Sequence, residues 1–324
     1  MHKVNVLRML HIVCLLYFYV PSKVSAIDVN SLSAVCEAME SAITDISLEY
    51  EWYHIPPYTK EDIAGTGNLI TEGADKFSMT TKFPFKEHYL FTRQMVLANE
   101  KGDSFESIVK VSYNGERAKR FDSGGLPLDN APRREYLSGT ISKTENDFSS
   151  LILTPLGFTI LRMQFSVEPI CLSEFMRQRG EFVKIGDQSE TINGFRTIRA
   201  DFLTEWKDKK FAFLRVYFSI DNDYTPVRYE YMNGPNSVGG TVDIKSLTEV
   251  EKGFWFPASG TISSPDDKRV EGFRLTGKVV VNQGLEDKDF GIEFPPGTRV
   301  ADEITGKMYT IKPTQQQLDQ SLPK

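Results

Sequence analysis

The chain has 324 residues, with 38 Lys and Arg against 44 Asp and Glu and a formal charge of −6. An acidic chain gains no counterion release from phosphates, so nucleic acid is not expected as a partner, and anionic membrane surfaces are disfavoured by the same sign. Three cysteines and four histidines leave little material for a histidine-rich metal centre or a Ser-His pair.

Met1–Arg8 carries Lys3 and Arg8, Met9–Val20 is an apolar run, and Val24-Ser25-Ala26 is a small-residue exit. That order is the pattern of a cleaved secretory signal peptide over 1–26. The apolar run is shorter than the ~20 residues a bilayer demands. Removing 26 residues with three basic and no acidic side chains leaves 298 residues and a charge of −9. The product is expected to be periplasmic or secreted, and monomeric. Cys36 and Cys171 remain, either as a disulfide or as two separate thiols.

Asn30–Ile46 predicts a helix, because Leu32, Val35, Cys36, Met39 and Ile43 recur at three- and four-residue spacings. Asn30 or Ser31 is its expected cap. Ser47–His54 alternates Leu48, Tyr50 and Trp52 against Ser47, Glu49 and Glu51, so the helix runs directly into a strand. Pro56-Pro57 ends it. Lys60–Gly73 reads as a loop, and Lys76–Phe83, Glu87–Leu97 and Phe105–Tyr113 as strands. Asn114-Gly115 is a hairpin turn.

Asp122–Phe148 reads as a long connection, with a short helix at most. Ser149–Phe165 and Cys171–Gln178 read as short helices. Strands then return: Glu181–Ile185, Glu190–Ile192, an Asn193-Gly194 turn and Phe195–Leu203. Phe211–Met232 follows, a hairpin around Asp221-Asn222-Asp223. Its first half places Ala212, Leu214, Val216, Phe218 and Ile220 on one face. Its second half places Val227, Tyr229 and Tyr231 there. Thr241–Val250, Gly253–Ile262, Val270–Val281 and a final Lys307–Ile311 complete the set, and 312–324 is expected to be a flexible tail. No long helix separates these strands. The predicted fold is therefore mainly β (α+β): one large curved antiparallel sheet covered by the N-terminal helix and the short mid-chain helices.

No catalytic motif is present: no G-x-S-x-G, H-E-x-x-H, P-loop or G-x-G-x-x-G lies after the leader, and no cofactor is expected. Beyond residue 26 only His54 and His88 remain. The glutamate pair Glu49 and Glu51 reads as a solvated face, and Asp221–Asp223 as a turn lacking the later residues of a calcium loop. Arg93 interrupts an apolar strand face. It either bonds carbonyls of a covering loop or reaches water at an edge. The remaining signal is apolar: Leu48, Tyr50, Trp52, Tyr89, Phe91, Val109, Val111, Leu214, Val216, Phe218 and Tyr229. Full cover by helices makes this face a core, and partial cover makes it a cavity for lipid chains.

Four segments resemble a known group: Val111-Ser112-Tyr113-Asn114-Gly115, Asp221–Pro226, Gly253-Phe254-Trp255-Phe256-Pro257 and Phe294-Pro295-Pro296-Gly297-Thr298. With the order of elements, they are similar to the LolA-like periplasmic lipoprotein carriers and their RseB-like sensor relatives. The resemblance spans most of Ile27–Ile311. It implies an unclosed half-barrel with helices lidding a hydrophobic cavity, and non-enzymatic binding of a lipid acyl chain or a lipidated protein. Arg93 occupies a place similar to the lid-binding arginine of that group. The competing expectation is an interaction or sensor module with a filled core, contacting another envelope protein.

Overall fold

The computed structural model describes residues 27–57, 59, 70–82, 88–98, 103–124, 137–143, 159–160, 170–206, 209–251, 253–264 and 270–314. The expected leader at 1–26, most of the loop at 60–73 and the end of the tail at 315–324 lie outside them. So do the helices expected at 149–165, except Thr159 and Ile160, which are a strand.

Helix α1 (Val29–Ala42) starts one residue early because Asp28, rather than Asn30 or Ser31, caps it, accepting from the Ser31 N–H at 2.7 Å. It also stops short of the predicted Ile46. Ile43 is already extended, and the β-branched run Ile43-Thr44 and Ile46 favours a strand. Asn282 closes the junction from far away: its Nδ2 donates to the Ala42 carbonyl at 2.9 Å and its Oδ1 accepts from the Thr44 N–H at 2.8 Å.

The first strands are β1 (Asp45–Ile55), β2 (Ile70–Thr71), β3 (Asp75–Lys82), β4 (Tyr89–Ala98), β5 (Ser104–Tyr113), β6 (Ala118–Ser123) and β7 (Leu137–Ser142). A small pair, β8 (Thr159–Ile160) and β9 (Ile170–Cys171), leads into helix α2 (Leu172–Gln178). There follow β10 (Val183–Ile185), β11 (Glu190–Ile192), β12 (Phe195–Trp206), β13 (Lys209–Ser219), β14 (Thr225–Gly234) and β15 (Ser237–Glu251). The last are β16 (Phe254–Ser263), β17 (Val270–Leu275), β18 (Val280–Val281), β19 (Arg299–Asp302) and β20 (Lys307–Thr310).

Eighteen of these strands share one sheet. Strand β1 is its seam. On one side β3, β4, β5, β6 and β7 follow as an antiparallel meander. On the other, β17 pairs with β1 and leads back through β16, β15, β14 and β13 to β12. Among the described residues the two ends, β20 and the β10 and β11 edge, do not pair, so the sheet is an unclosed half-barrel.

Two expectations fall here. Residues 137–142, read as connection, are strand β7. The sheet is also not wholly antiparallel, because β19 runs parallel to β7. The chain leaves β18 beside β1, crosses the back of the sheet and reaches the far edge in that direction. Asn193-Gly194 turns as expected, with φ of 51° and 87° between the paired residues Ile192 and Phe195. Cys36 and Cys171 are not joined to each other in a disulfide.

The core lies on the inner face. Leu32, Cys36 and Met39 of α1 and Leu172, Phe175 and Met176 of α2 pack with Phe202, Leu214, Val216, Phe218, Tyr229, Ile244 and Phe256. The opposite face of the β4–β7 end is covered by the returning chain: Phe290 and Ile292 are buried, and Lys119 Nζ donates to the Ile292 carbonyl at 3.2 Å.

Candidate functional site

Registers show which side chains share the inner face. Tyr50 and Trp52 of β1 stand opposite Leu275 and Phe273 of β17 on one side and Phe77 and Asp75 of β3 on the other. Phe77 and Met79 stand opposite Arg93 and Phe91 of β4, which in turn face Val109 and Val111 of β5. Sidedness follows from the pleat, since directly paired residues point to the same face.

These positions divide into two regions. Leu48, Tyr50, Leu214, Val216, Phe218 and Tyr229 are buried in the core with α1 and α2, with Val216 and Phe218 fully enclosed. They pack with side chains of the two helices. Tyr89 and Val111 are also buried, Tyr89 with its ring 5.9 Å from Tyr113.

Past the helices the face changes. An aromatic belt runs from Phe273 to Trp52 at 6.0 Å, from Trp52 to Phe77 at 5.9 Å and from Phe77 to Phe91 at 5.6 Å. Phe273 is buried, whereas Trp52, Phe77, Met95, Leu97 and Val109 are half-buried. Three of the predicted site residues, Trp52, Arg93 and Val109, are thus gathered on this more open half, with Phe91 as its floor.

Arg93 is held by a residue that sequence reading missed. Its Nε donates to Asp75 Oδ2 at 2.8 Å, and its guanidinium lies 5.5 Å from the Phe77 ring centre. Among the described residues its partner is therefore a carboxylate, not a covering-loop carbonyl. Burial raises the Asp75 carboxyl above the usual range, while the Arg93 charge and hydrogen bond pull it back. Phe77 lies inside the predicted strand Lys76–Phe83. Asp75 lay one residue before that predicted strand, and only pairing with Trp52 turns it inward. Further along, Arg120 of β6 bonds Asp122 through Nε at 2.9 Å and Nη2 at 3.2 Å.

Among the described residues no cluster of His, Cys, Asp and Glu fits a metal ion, and no helix is long and apolar enough to cross a membrane. A polar groove on the outer side lies between the β5–β6 turn and the returning chain, lined by Asn114, Arg117, Lys119, Asp287 and Phe290.

The fold and this face define the class: a mainly β half-barrel with helices over part of its concave side. No family model matches the sequence, and no curated protein matches it. Similar solved structures include a DUF1329 family protein from Desulfovibrio piger, 11% identical over 82% of this chain and 98% of that one, with a TM-score of 0.42. Another is a putative outer membrane lipoprotein-sorting protein domain from Vibrio parahaemolyticus, 10% identical over 81% and 95%, at 0.43. A third is a LolA superfamily protein from Nitrosomonas europaea, 9% identical over 82% and 99%, at 0.39. Likeness at this level assigns no function to the chain.

Proposed function

We propose that this is an exported, non-enzymatic protein that binds an apolar chain, from a lipid or a lipidated protein, along the half-buried part of its concave face. One observation carries the reading: in the aromatic belt of Phe273, Trp52, Phe77 and Phe91, the buried Phe273 and Phe91 flank the half-buried Trp52 and Phe77. Half-buried aromatic and aliphatic side chains on a concave sheet offer contact area without displacing a packed core.

The test is fluorescence of N-phenylnaphthylamine with the purified protein. Enhancement that titrates to saturation and is reversed by fatty acid is the expected result. No enhancement at micromolar dye overturns the reading. The filled half of the core, where Val216 and Phe218 are sealed, favours a second reading as an envelope interaction module. That reading predicts one stoichiometric protein partner and no copurifying lipid in native mass spectra.

A further inference from the structure

We infer that two copies of this chain join through strand β20, each laying its open edge antiparallel against the other's, so that two half-barrel sheets become continuous across a two-fold axis. The inference is independent of the ligand reading above.

The sheet is open at this end. Strand β20 pairs with β19 on one side, Tyr309 opposite Val300 and Met308 opposite Ala301, and with no other strand among the described residues. Lys307, Met308, Tyr309 and Thr310 are all exposed, so the ribbon stands clear of the body on both of its faces. Met308 is 63% and Tyr309 42% exposed, and Ile55 is the only other large apolar side chain exposed among the described residues. Neighbours along a strand point to opposite faces, so each face of this edge carries one of the two. Large apolar side chains beside an unpaired ladder mark a place for strand addition.

The main chain fixes the register. Ile311 donates its N–H to the Thr298 carbonyl at 2.9 Å, and its own carbonyl accepts from the Gly297 N–H at 2.9 Å, so both groups point towards β19. Alternation along an antiparallel strand turns the groups of Tyr309 the same way and those of Met308 and Thr310 to the open side. The open edge is therefore symmetric about Tyr309. An antiparallel copy satisfies all four groups when Met308 faces the partner's Thr310 and Tyr309 faces the partner's Tyr309 across the axis.

Side chains suit the same register. Lys307 falls opposite the partner's Ile311, so no like charges oppose each other, and the two Tyr309 rings meet in the closer, non-hydrogen-bonded kind of pair. The opposite end of the sheet is broken into two three-residue strands, Val183–Ile185 and Glu190–Ile192. A head-to-tail array finds no uninterrupted edge there, whereas β20 against β20 closes on itself. A contact one short strand long belongs to the small, weak class of interfaces.

The experiment is sedimentation velocity of the purified full chain from low to high micromolar concentration, where monomer is expected to give way to dimer. Met308→Pro removes an N–H that β19 does not use. By symmetry it deletes two bonds between the copies and should weaken dimerisation by about tenfold or more. Register is read by oxidation, with the unaltered protein as blank. Tyr309→Cys should yield a linked dimer, since residues paired on the axis lie about 4.5 Å apart at Cα, within the span of a disulfide. Met308→Cys should not, because its copy lies about 8 Å away on the diagonal. A monomer at every concentration, a dimer undiminished by Met308→Pro, or equal linking of the two cysteine variants overturns the inference. So does a dimer that forms only after residues 315–324 are removed, which would give the edge to the chain's own tail.

Discussion

Glu40 of α1 accepts a hydrogen bond from the Ser173 N–H at 3.2 Å and also takes the Ser173 hydroxyl, so the first turn of α2 is capped from the neighbouring helix. The residue at α2's own cap position, Cys171, makes no such side-chain bond. Ser33 adds a hydroxyl bond to the Ser173 carbonyl at 3.1 Å, and Arg177 reaches Glu37 at 3.0 Å. The two helices that cover the core are thus tied to each other as well as to the sheet.

The burial of Glu40 at this junction makes stability fall with pH. Burial pushes the Glu40 carboxyl up from 4.5 to about 7, against the Ser173 hydrogen bonds and with help from Glu37 and Glu174. A carboxyl raised in the folded state holds its proton there more tightly than in the unfolded chain. Its contribution is complete below about pH 4.5 and lost as pH rises through about 7. Glu40→Gln removes the titration, so its stability relative to the unaltered protein should rise by about 1–3 kcal/mol between pH 5 and 8.5. Urea unfolding at the two pH values measures it, and a constant difference between the two proteins contradicts it.

Asp45 should prove to be the anchor of the returning chain. It is buried and accepts from the N–H groups of Gln283 at 2.8 Å and Gly284 at 2.9 Å. Asp45→Ala strands both donors and should cost about 2–3 kcal/mol. Hydrogen exchange should quicken over residues 283–300 before it does in β12–β16. Uniform loss of protection across the sheet would instead mean that the segment is not a separable strap.

Gly260 of β16 has no room for a side chain. A Cβ there would meet the Phe273 ring at 2.5 Å and the Asp243 carbonyl at 2.7 Å. Gly260→Val should therefore destabilise by about 2–3 kcal/mol and displace the Phe273 ring from Trp52. Trp52 emission, read against the other two tryptophans, reports the second effect; a thermal midpoint equal to that of the unaltered protein rules out the first.

The two regions of the inner face should separate by mutation. Phe218→Ala, deep beneath the helices, is expected to lower stability by about 3–5 kcal/mol. Trp52→Ala, on the open part, should instead weaken dye affinity by about tenfold with a smaller loss of stability. Equal effects of the two variants on dye binding would place the ligand in the core.

Period-two alternation alone specified most of this architecture. Leu214, Val216 and Phe218 face inward because a strand sends every second side chain to the same side. Asn193-Gly194 turns because asparagine and glycine tolerate positive φ. Helix α1 was legible from the three- and four-residue spacing of Leu32, Cys36 and Met39. Strand β7 was not, since Leu137-Ser138-Gly139-Thr140 carries little apolar alternation. Its inner positions are polar, and its pairing comes from neighbours on both sides.

What the sequence determined by itself, then, was the set of strands and the side that each turns inward, because both depend on local geometry. Which inner residues are sealed and which stay half open was decided only in three dimensions. Val216 and Trp52 look alike in a pattern of alternating side chains, yet one is fully buried and the other only half-buried. The partnership of Asp75 with Arg93, 18 residues apart, likewise exists only once β3 and β4 are in register.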